Sequence, residues 1–199
     1  MAGKASHKFV SVSLLAVLLS GCASLKQPPA TFELSAPAPA VSRSAATRAQ
    51  ILIPEPTASK SLDSQQIVIR PTPQTIETLG ASQWSDRLPR LVQLRLLQAF
   101  QNTGRVGAVG VPGQGLAIDY QVVTELRRFE VSVEGGGTTA VVEIAVKALN
   151  DRTGVVRSTR IFRGTAPVTA AGNPAYVAAL DQAFGQVADE IVAWTLKLI

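Results

Sequence analysis

The stretch that most limits how this chain can fold lies at its start. Lys4, His7 and Lys8 precede an almost wholly apolar run from Phe9, which closes on Leu19-Ser20-Gly21-Cys22. A basic start, a short apolar core and small residues at its end are the layout of a secretory signal. The core is about ten residues long, too short to cross a bilayer as a helix. Residues 1–21 are therefore read as a leader, and the fold must come from the 178 residues that follow. Cys22 is the only cysteine, so no internal disulfide is available. In an oxidising compartment its free thiol would be a liability.

Leu19, Ser20, Gly21 and Cys22 together resemble the lipobox of bacterial lipoproteins. The resemblance implies that the Cys22 thiol is joined to diacylglycerol, that the chain is cut before Cys22, and that the new amine is acylated. Several acyl chains anchor far more firmly than one, at about 0.8 kcal/mol per buried methylene. In a cell with two membranes, Ala23 rather than aspartate after the cysteine implies sorting to the outer membrane. The competing readings are an ordinary secretory signal that ends near a cysteine, or a buried N-terminal strand.

Loss of the leader removes Lys4 and Lys8 and leaves 17 basic and 14 acidic residues, a net charge of +3. No Lys/Arg run and no interleaving of basic and aromatic residues points to nucleic acid. Residues 22–47 read as the acylated cysteine and a disordered tether. Pro28, Pro29, Pro37 and Pro39 sit there among Ala, Ser and Thr, too little apolar surface to offset the ordering entropy. Fully extended, the 25 residues from 23 to 47 reach roughly 80 Å at about 3.3 Å each. Phe32-Glu33-Leu34 interrupts the tether, either as a strand fragment pinned to the domain or as nothing ordered. Residues 48–199 form one domain, long enough for a real core.

Within it, Gln50–Ile53 and Gln66–Arg70 read as strands stopped by prolines, and Thr75–Leu79 as a short third. Ser85–Gln101 reads as a helix with Leu88, Leu91, Val92, Leu96 and Ala99 on one stripe. Ser82 or Ser85 is its expected cap, and Asn102 and Gly104 its stop. Residues 105–109 give a short strand, and the glycines of 110–115 a loop that lacks the lysine-serine pair of a phosphate loop. Three long strands follow. In the first, apolar residues change phase between Leu126 and Phe129, which predicts a bulge near Arg127-Arg128. The last, Val155–Arg163, is apolar on neither face and belongs near an edge. A closing helix starts at Asn173-Pro174. Its stripe of Val177, Leu180, Phe184, Val187, Ile191 and Trp194 suits a coiled-coil seam or, better, one helix lying on a sheet. The expected class is α+β: a mostly antiparallel sheet with two amphipathic helices packed on it.

Chemistry is scarce. His7, the only histidine, leaves with the leader, which removes serine-histidine and cysteine-histidine catalysis and the usual zinc ligands. The carboxylates are scattered: Glu125 and Glu130, with Arg127 and Arg128 between them, read as solvated charges on a sheet face. No catalytic residue, metal site or cofactor is expected beyond the lipid on Cys22. Trp84 and Trp194 read as core aromatics. Trp84 stands in the polar stretch Gln83-Trp84-Ser85-Asp86, where it could instead anchor a partner.

Several segments, weak singly but specific in order, resemble one family. They are the tethered lipobox cysteine, Phe32-Glu33-Leu34, Ile51-Leu52-Ile53-Pro54, Leu62 to Arg70, and above all Trp84-Ser85-Asp86-Arg87-Leu88-Pro89-Arg90-Leu91. Phe129-Glu130, the turn from Leu149 to Gly154, and Ala179 to Trp194 follow. The family is the ABC-type transport auxiliary lipoproteins of the PqiC-like kind. The resemblance implies a non-enzymatic outer-membrane lipoprotein facing the periplasm. It would work beside a protein with MCE (mammalian cell entry) domains in a system that moves phospholipid or other apolar molecules between membranes. Tethering and docking are its expected mode of action, with Trp84, Arg87 and the exposed sheet edge at the docking face. Some members form homo-oligomeric rings, so a homo-oligomer is open here. A lipid-binding periplasmic shuttle is the alternative, with a pocket between sheet and helices; another is an envelope-assembly lipoprotein handling lipopolysaccharide or a secretin.

Overall fold

The alternating residues after residue 119 become three long antiparallel strands, and the two apolar stripes become helices that share one core with them. The computed structural model describes residues 28–36, 46–133 and 136–199. The leader, Leu19 to Cys22, much of the tether and Glu134-Gly135 lie outside the described residues. Among the described residues, the first five strands are β1 (Ala30–Phe32), β2 (Gln50–Leu52), β3 (Thr57–Ala58), β4 (Gln66–Thr72) and β5 (Thr75–Trp84). Helix α1 (Leu88–Thr103) follows, then β6 (Ala108–Gly110), β7 (Tyr120–Ser132), β8 (Thr139–Asn150), β9 (Val156–Pro167) and helix α2 (Asn173–Leu196). The class is α+β, as expected.

Strand β7 is the spine. One side pairs with β8 along its whole length. The other side is shared in succession by β2, β3 and β4, which meet it at Tyr120-Gln121, Glu125-Leu126 and Glu130–Ser132. The long ladders, β4 with β5, β7 with β8 and β8 with β9, are antiparallel. The short ones, including β1 with β5 and β2 with β6, are parallel, so the sheet is mixed. Among the described residues, β9 pairs with β8 alone and forms an edge.

The predicted bulge is present: the β7–β8 register shifts between Leu126 and Arg128. It lets Val122 and Leu126 before it, and Phe129 and Val131 after it, be buried despite opposite parity. Without the extra residue, Phe129 and Val131 would turn to the outer face. Strand β5 is longer than expected, and β4 runs on through Pro71. Its last pair with β7 is Arg70 with Ser132, so the missing N–H of Pro71 interrupts no bond there.

Helix α1 starts later than the stripe suggested. Arg87, not Ser82 or Ser85, holds the cap position, and no side chain caps the helix. This puts Pro89 in the first turn, where its lost N–H is harmless. Gly104 ends the helix in the left-handed conformation (φ 60°), as its position predicted. At α2 the cap is Gly172, and Asn173 is already helical. The Asn173 amide instead donates to the Gly80 carbonyl at 2.9 Å and to Ser82 Oγ at 2.7 Å. Val177, Leu180, Phe184, Val187 and Ile191 are buried and Trp194 is half-buried against the edge of Phe162. The stripe is therefore the face of a helix on a sheet, not a coiled-coil seam.

Gly164 of β9 explains how closely α2 approaches. A Cβ at this position would stand 2.4 Å from the Ala183 carbonyl oxygen and 3.0 Å from Val187 Cγ2. The obstacle is helix backbone, which cannot rotate away. Gly164→Val is expected to cost about 2 kcal/mol or more by overpacking, read as a lower urea midpoint. Gly137→Val, at an open position, is the control.

The segment Phe32-Glu33-Leu34 is not free. Ala30–Phe32 pairs in parallel with Ser82–Trp84, Leu34 is buried, and the Ser35 N–H donates to Asp181 Oδ1 at 2.7 Å. The folded unit thus takes in residues 30–35, which compositional reading assigned to the tether. Leu34 supplies the apolar surface that the proline-rich composition obscured.

Candidate functional site

The corner where β1, β5 and α1 meet is built around Trp84. Its backbone N–H donates to the Gln65 carbonyl at 2.7 Å, and the next N–H, of Ser85, donates to the Phe32 carbonyl at 2.8 Å. The indole is 1% exposed and stands edge-on to Phe129, with ring centroids 5.9 Å apart at 86°. Phe129 in turn meets Phe184 of α2 at 5.9 Å. This corrects the docking role expected of Trp84: a buried indole offers a partner no surface. The polar neighbours misled because they sit at the end of a strand whose side chains alternate between core and solvent.

Arg87, three residues on, remains about half-exposed and pairs with two carboxylates. Its Nη1 lies 2.9 Å from Glu55 Oε1 and its Nε 2.8 Å from Asp63 Oδ1. Arg87 therefore clasps the segments on either side of β3 to the start of α1. The sequence-predicted pair is adjacent in space, but one member is core and the other a surface clasp.

Glu130 is the charged residue that sequence reading misplaced. It is 1% exposed, not solvated. Its Oε1 accepts from Arg70 Nε and Arg128 Nε, each at 2.7 Å, and Arg70 Nη1 also donates to the Pro73 carbonyl at 3.0 Å. Glu125 does match the expectation: it is exposed, with Arg127 at 3.4 Å. The missing signal was long-range, since Arg70 lies on β4, 60 residues away.

A second polar joint ties β2 to the start of β7. Asp119 Oδ2 accepts the Gln50 backbone N–H at 2.9 Å, and its other oxygen meets Arg152. The Gln50 N–H foremost, and Arg152 next, hold the Asp119 carboxyl below its ordinary value of 3.8, against an opposing desolvation. A depressed carboxyl contributes stability above its unfolded pKa and loses it as pH falls through the folded one. Asp119→Asn is accordingly expected to lower stability at neutral pH and to flatten the acid limb below about pH 4. Thermal melts from neutral to acid pH measure both effects.

Reactive chemistry is sparse. Among the described residues, no group of three or more His, Cys, Asp or Glu side chains could hold a metal ion. No described helix is long and apolar enough to cross a membrane. The space between helices and sheet is filled by Trp84, Phe100, Phe129, Phe162 and Phe184, all fully buried. Hollows open at the surface instead, and one of them, of about 670 Å³, includes Pro29, Lys60, Gln65, Leu79 and Ser82 in its lining. What this architecture offers a partner is surface, and in particular the free edge of β9 with Arg157, Arg160, Ile161 and Arg163 exposed along it.

The family model described as ABC-type transport auxiliary lipoprotein component matches residues 32–192. The chain belongs to this family. The match begins at Phe32, in agreement with the strand that Ala30–Phe32 adds to the sheet. A crystal structure of a Xanthomonas campestris protein is similar, with 26% identity and a TM-score of 0.79. It covers 84% of this auxiliary lipoprotein and 95% of that chain. A Chlamydia trachomatis protein structure shares the fold at 8% identity and a TM-score of 0.56, over 76% of this chain and 98% of its own. An uncharacterized protein of Bradyrhizobium diazoefficiens is 32% identical over 117 residues, 58% of this chain. The match takes in 31% of that relative, so the auxiliary lipoprotein spans only part of its length.

Proposed function

We propose that this protein is a non-enzymatic lipoprotein of the outer membrane, facing the periplasm, that serves an MCE-type, ABC-linked transport system. Acylated Cys22 holds the domain at the membrane, and the domain docks the outer end of a partner with MCE domains. The cargo class is phospholipid or a related apolar molecule. The observation that carries this reading is the family match over residues 32–192. The filled space between helices and sheet favours docking over a shuttle that carries lipid inside itself.

The free edge of β9 suits docking, because an edge strand can add a partner strand through its backbone groups while its side chains select the partner. Arg87 would contribute from the surface as part of its clasp with Glu55 and Asp63.

Crosslinking the intact acylated protein in its native envelope tests the proposal, with a photoreactive side chain at Ile161. Capture of an MCE-domain protein is the expected result. Capture of lipid alone would favour the shuttle. Capture of lipopolysaccharide-assembly or secretin components would overturn the transport role.

A further inference from the structure

The sheet has two ends that differ in chemistry and in distance from the N-terminal chain. Strand β1 runs parallel to β5, with Ala30 opposite Ser82. Ser82 precedes Gln83, which pairs with Gln66, and two residues further along β4 Val68 meets Glu130. Ala30 is therefore about level with Arg128 and Phe129 of β7. From that level the Ser132 end of β7 is roughly 13 Å away, and the Tyr120 end roughly 30 Å in the opposite direction, at about 3.3 Å per residue. The chain enters β1 from the Ser132 side, past Pro29 and Gly80, which line one groove.

Eight residue-to-residue steps separate Cys22 from Ala30. Even fully extended they reach no more than about 29 Å, at about 3.6 Å each. The 25-residue tether expected from composition is cut short because Ala30–Phe32 is stitched into the sheet. This leash reaches past the near end. To bring the far end to the same membrane, it would have to double back along the domain over its whole length.

The near end is also the end whose chemistry suits a bilayer. Residues 71–76 and 167–173 contain no Asp, Glu, Lys or Arg. Ile76 and Val133 are exposed there, at 46% and 45%. The Val133 N–H donates to the Arg70 carbonyl at 3.1 Å, and the Val168 N–H to the Thr138 carbonyl at 2.9 Å, which gathers these segments at one end. The far end instead gathers Arg48, Asp119, Asp151 and Arg152 beside exposed Val155. Exposed aliphatic side chains enter the headgroup-acyl boundary readily, and Glu77 and Glu134, next in sequence to Ile76 and Val133, limit the apolar rim to those two side chains and the uncharged turns beside them.

We infer that the Ile76–Val133 end of the sheet rests on the bilayer that holds acylated Cys22. The occupant of this face is the lipid surface itself, and the charged end points away from it. The inference rests on the lipid anchor proposed above.

The test uses the full-length acylated protein in vesicles of phosphatidylethanolamine and phosphatidylglycerol doped with a spin-labelled lipid. Cys22 is the only native cysteine and its thiol is taken up by lipid, so one introduced cysteine accepts a fluorescent label alone. Labels at Ile76→Cys and Val133→Cys are expected to be quenched several-fold more than a label at Val155→Cys. Gln74→Cys, exposed at the same turn, replaces Ile76→Cys if that variant melts early. Equal quenching at both ends, or stronger quenching at Val155, would overturn the orientation. Failure of the wild-type protein to float with vesicles, or a mass without acyl chains, would instead overturn the anchor and the orientation with it.

Discussion

Trp84→Ala is expected to cost about 3–5 kcal/mol, the range for removing a fully buried large aromatic. At about 2–4 °C per kcal/mol for a domain of this size, the thermal midpoint should fall by roughly 10 °C. The indole is 1% exposed and joins three parts of the fold. Its ring meets Phe129 of β7 edge-on, Phe129 meets Phe184 of α2, and its strand segment holds β1. Truncation leaves a cavity under this aromatic chain that the surrounding backbone, fixed by ladders on both sides, can only partly close. Trp84→Phe should recover much of the loss, because it restores an aromatic edge against Phe129. The measurement separates a core role from a docking role. A docking residue would lose partner binding with an unchanged melt, whereas the expected variant loses stability first. A Trp84→Ala melt within about 2 °C of wild type, under the change about 1 kcal/mol gives, would return Trp84 to the surface.

The elements that were legible from sequence are those with strong local periodicity. The closing helix, the phase change between Leu126 and Phe129, the hairpin at 150–154 and the edge position of β9 all follow from side-chain parity and turn chemistry. Leu34 was harder: one leucine in a proline-rich stretch carries no periodic signal, and its burial goes with the parallel pairing of Ala30–Phe32 with residues 52 positions later. Trp84 was ambiguous for a related reason. Near the end of a strand, the polar residues of one face surround an apolar residue of the other, so a window average reports a polar turn. The β2–β7, β3–β7 and β4–β7 ladders are parallel pairings between segments separated by a helix or a long loop. No local pattern specifies them, and the expectation of a mostly antiparallel sheet captured only the hairpin-linked strands. The candidate anchor is local in the other sense: four adjacent residues suffice to suggest it, and the fold adds only where the leash ends.

Glu130→Ala is the second large effect, and its expected cost is about 3 kcal/mol, the lower end for breaking a buried ion pair by removing one partner. The lower end applies because Arg70 and Arg128 keep side-chain exposures of 24% and 26%, so water still reaches both cations. The carboxylate itself keeps 2% and stands between the two Nε donors at 2.7 Å each. Its removal takes away the anion that the guanidiniums of Arg70 and Arg128 share. Arg70→Ala should cost less, because Arg128 still pairs with the carboxylate. Glu130→Gln keeps the shape and an acceptor oxygen but loses the charge, and should fall between these two. Urea unfolding of the three variants orders the costs. A triple replacement by apolar residues of similar volume, Arg70→Met with Glu130→Leu and Arg128→Met, is expected to regain most of the stability lost in Glu130→Ala. That recovery would show that the cluster is costly to break but not itself a large source of stability. A Glu130→Ala change within about 0.5 kcal/mol, the usual span of surface substitutions, would mean that the carboxylate is solvated after all, as the sequence alone suggested.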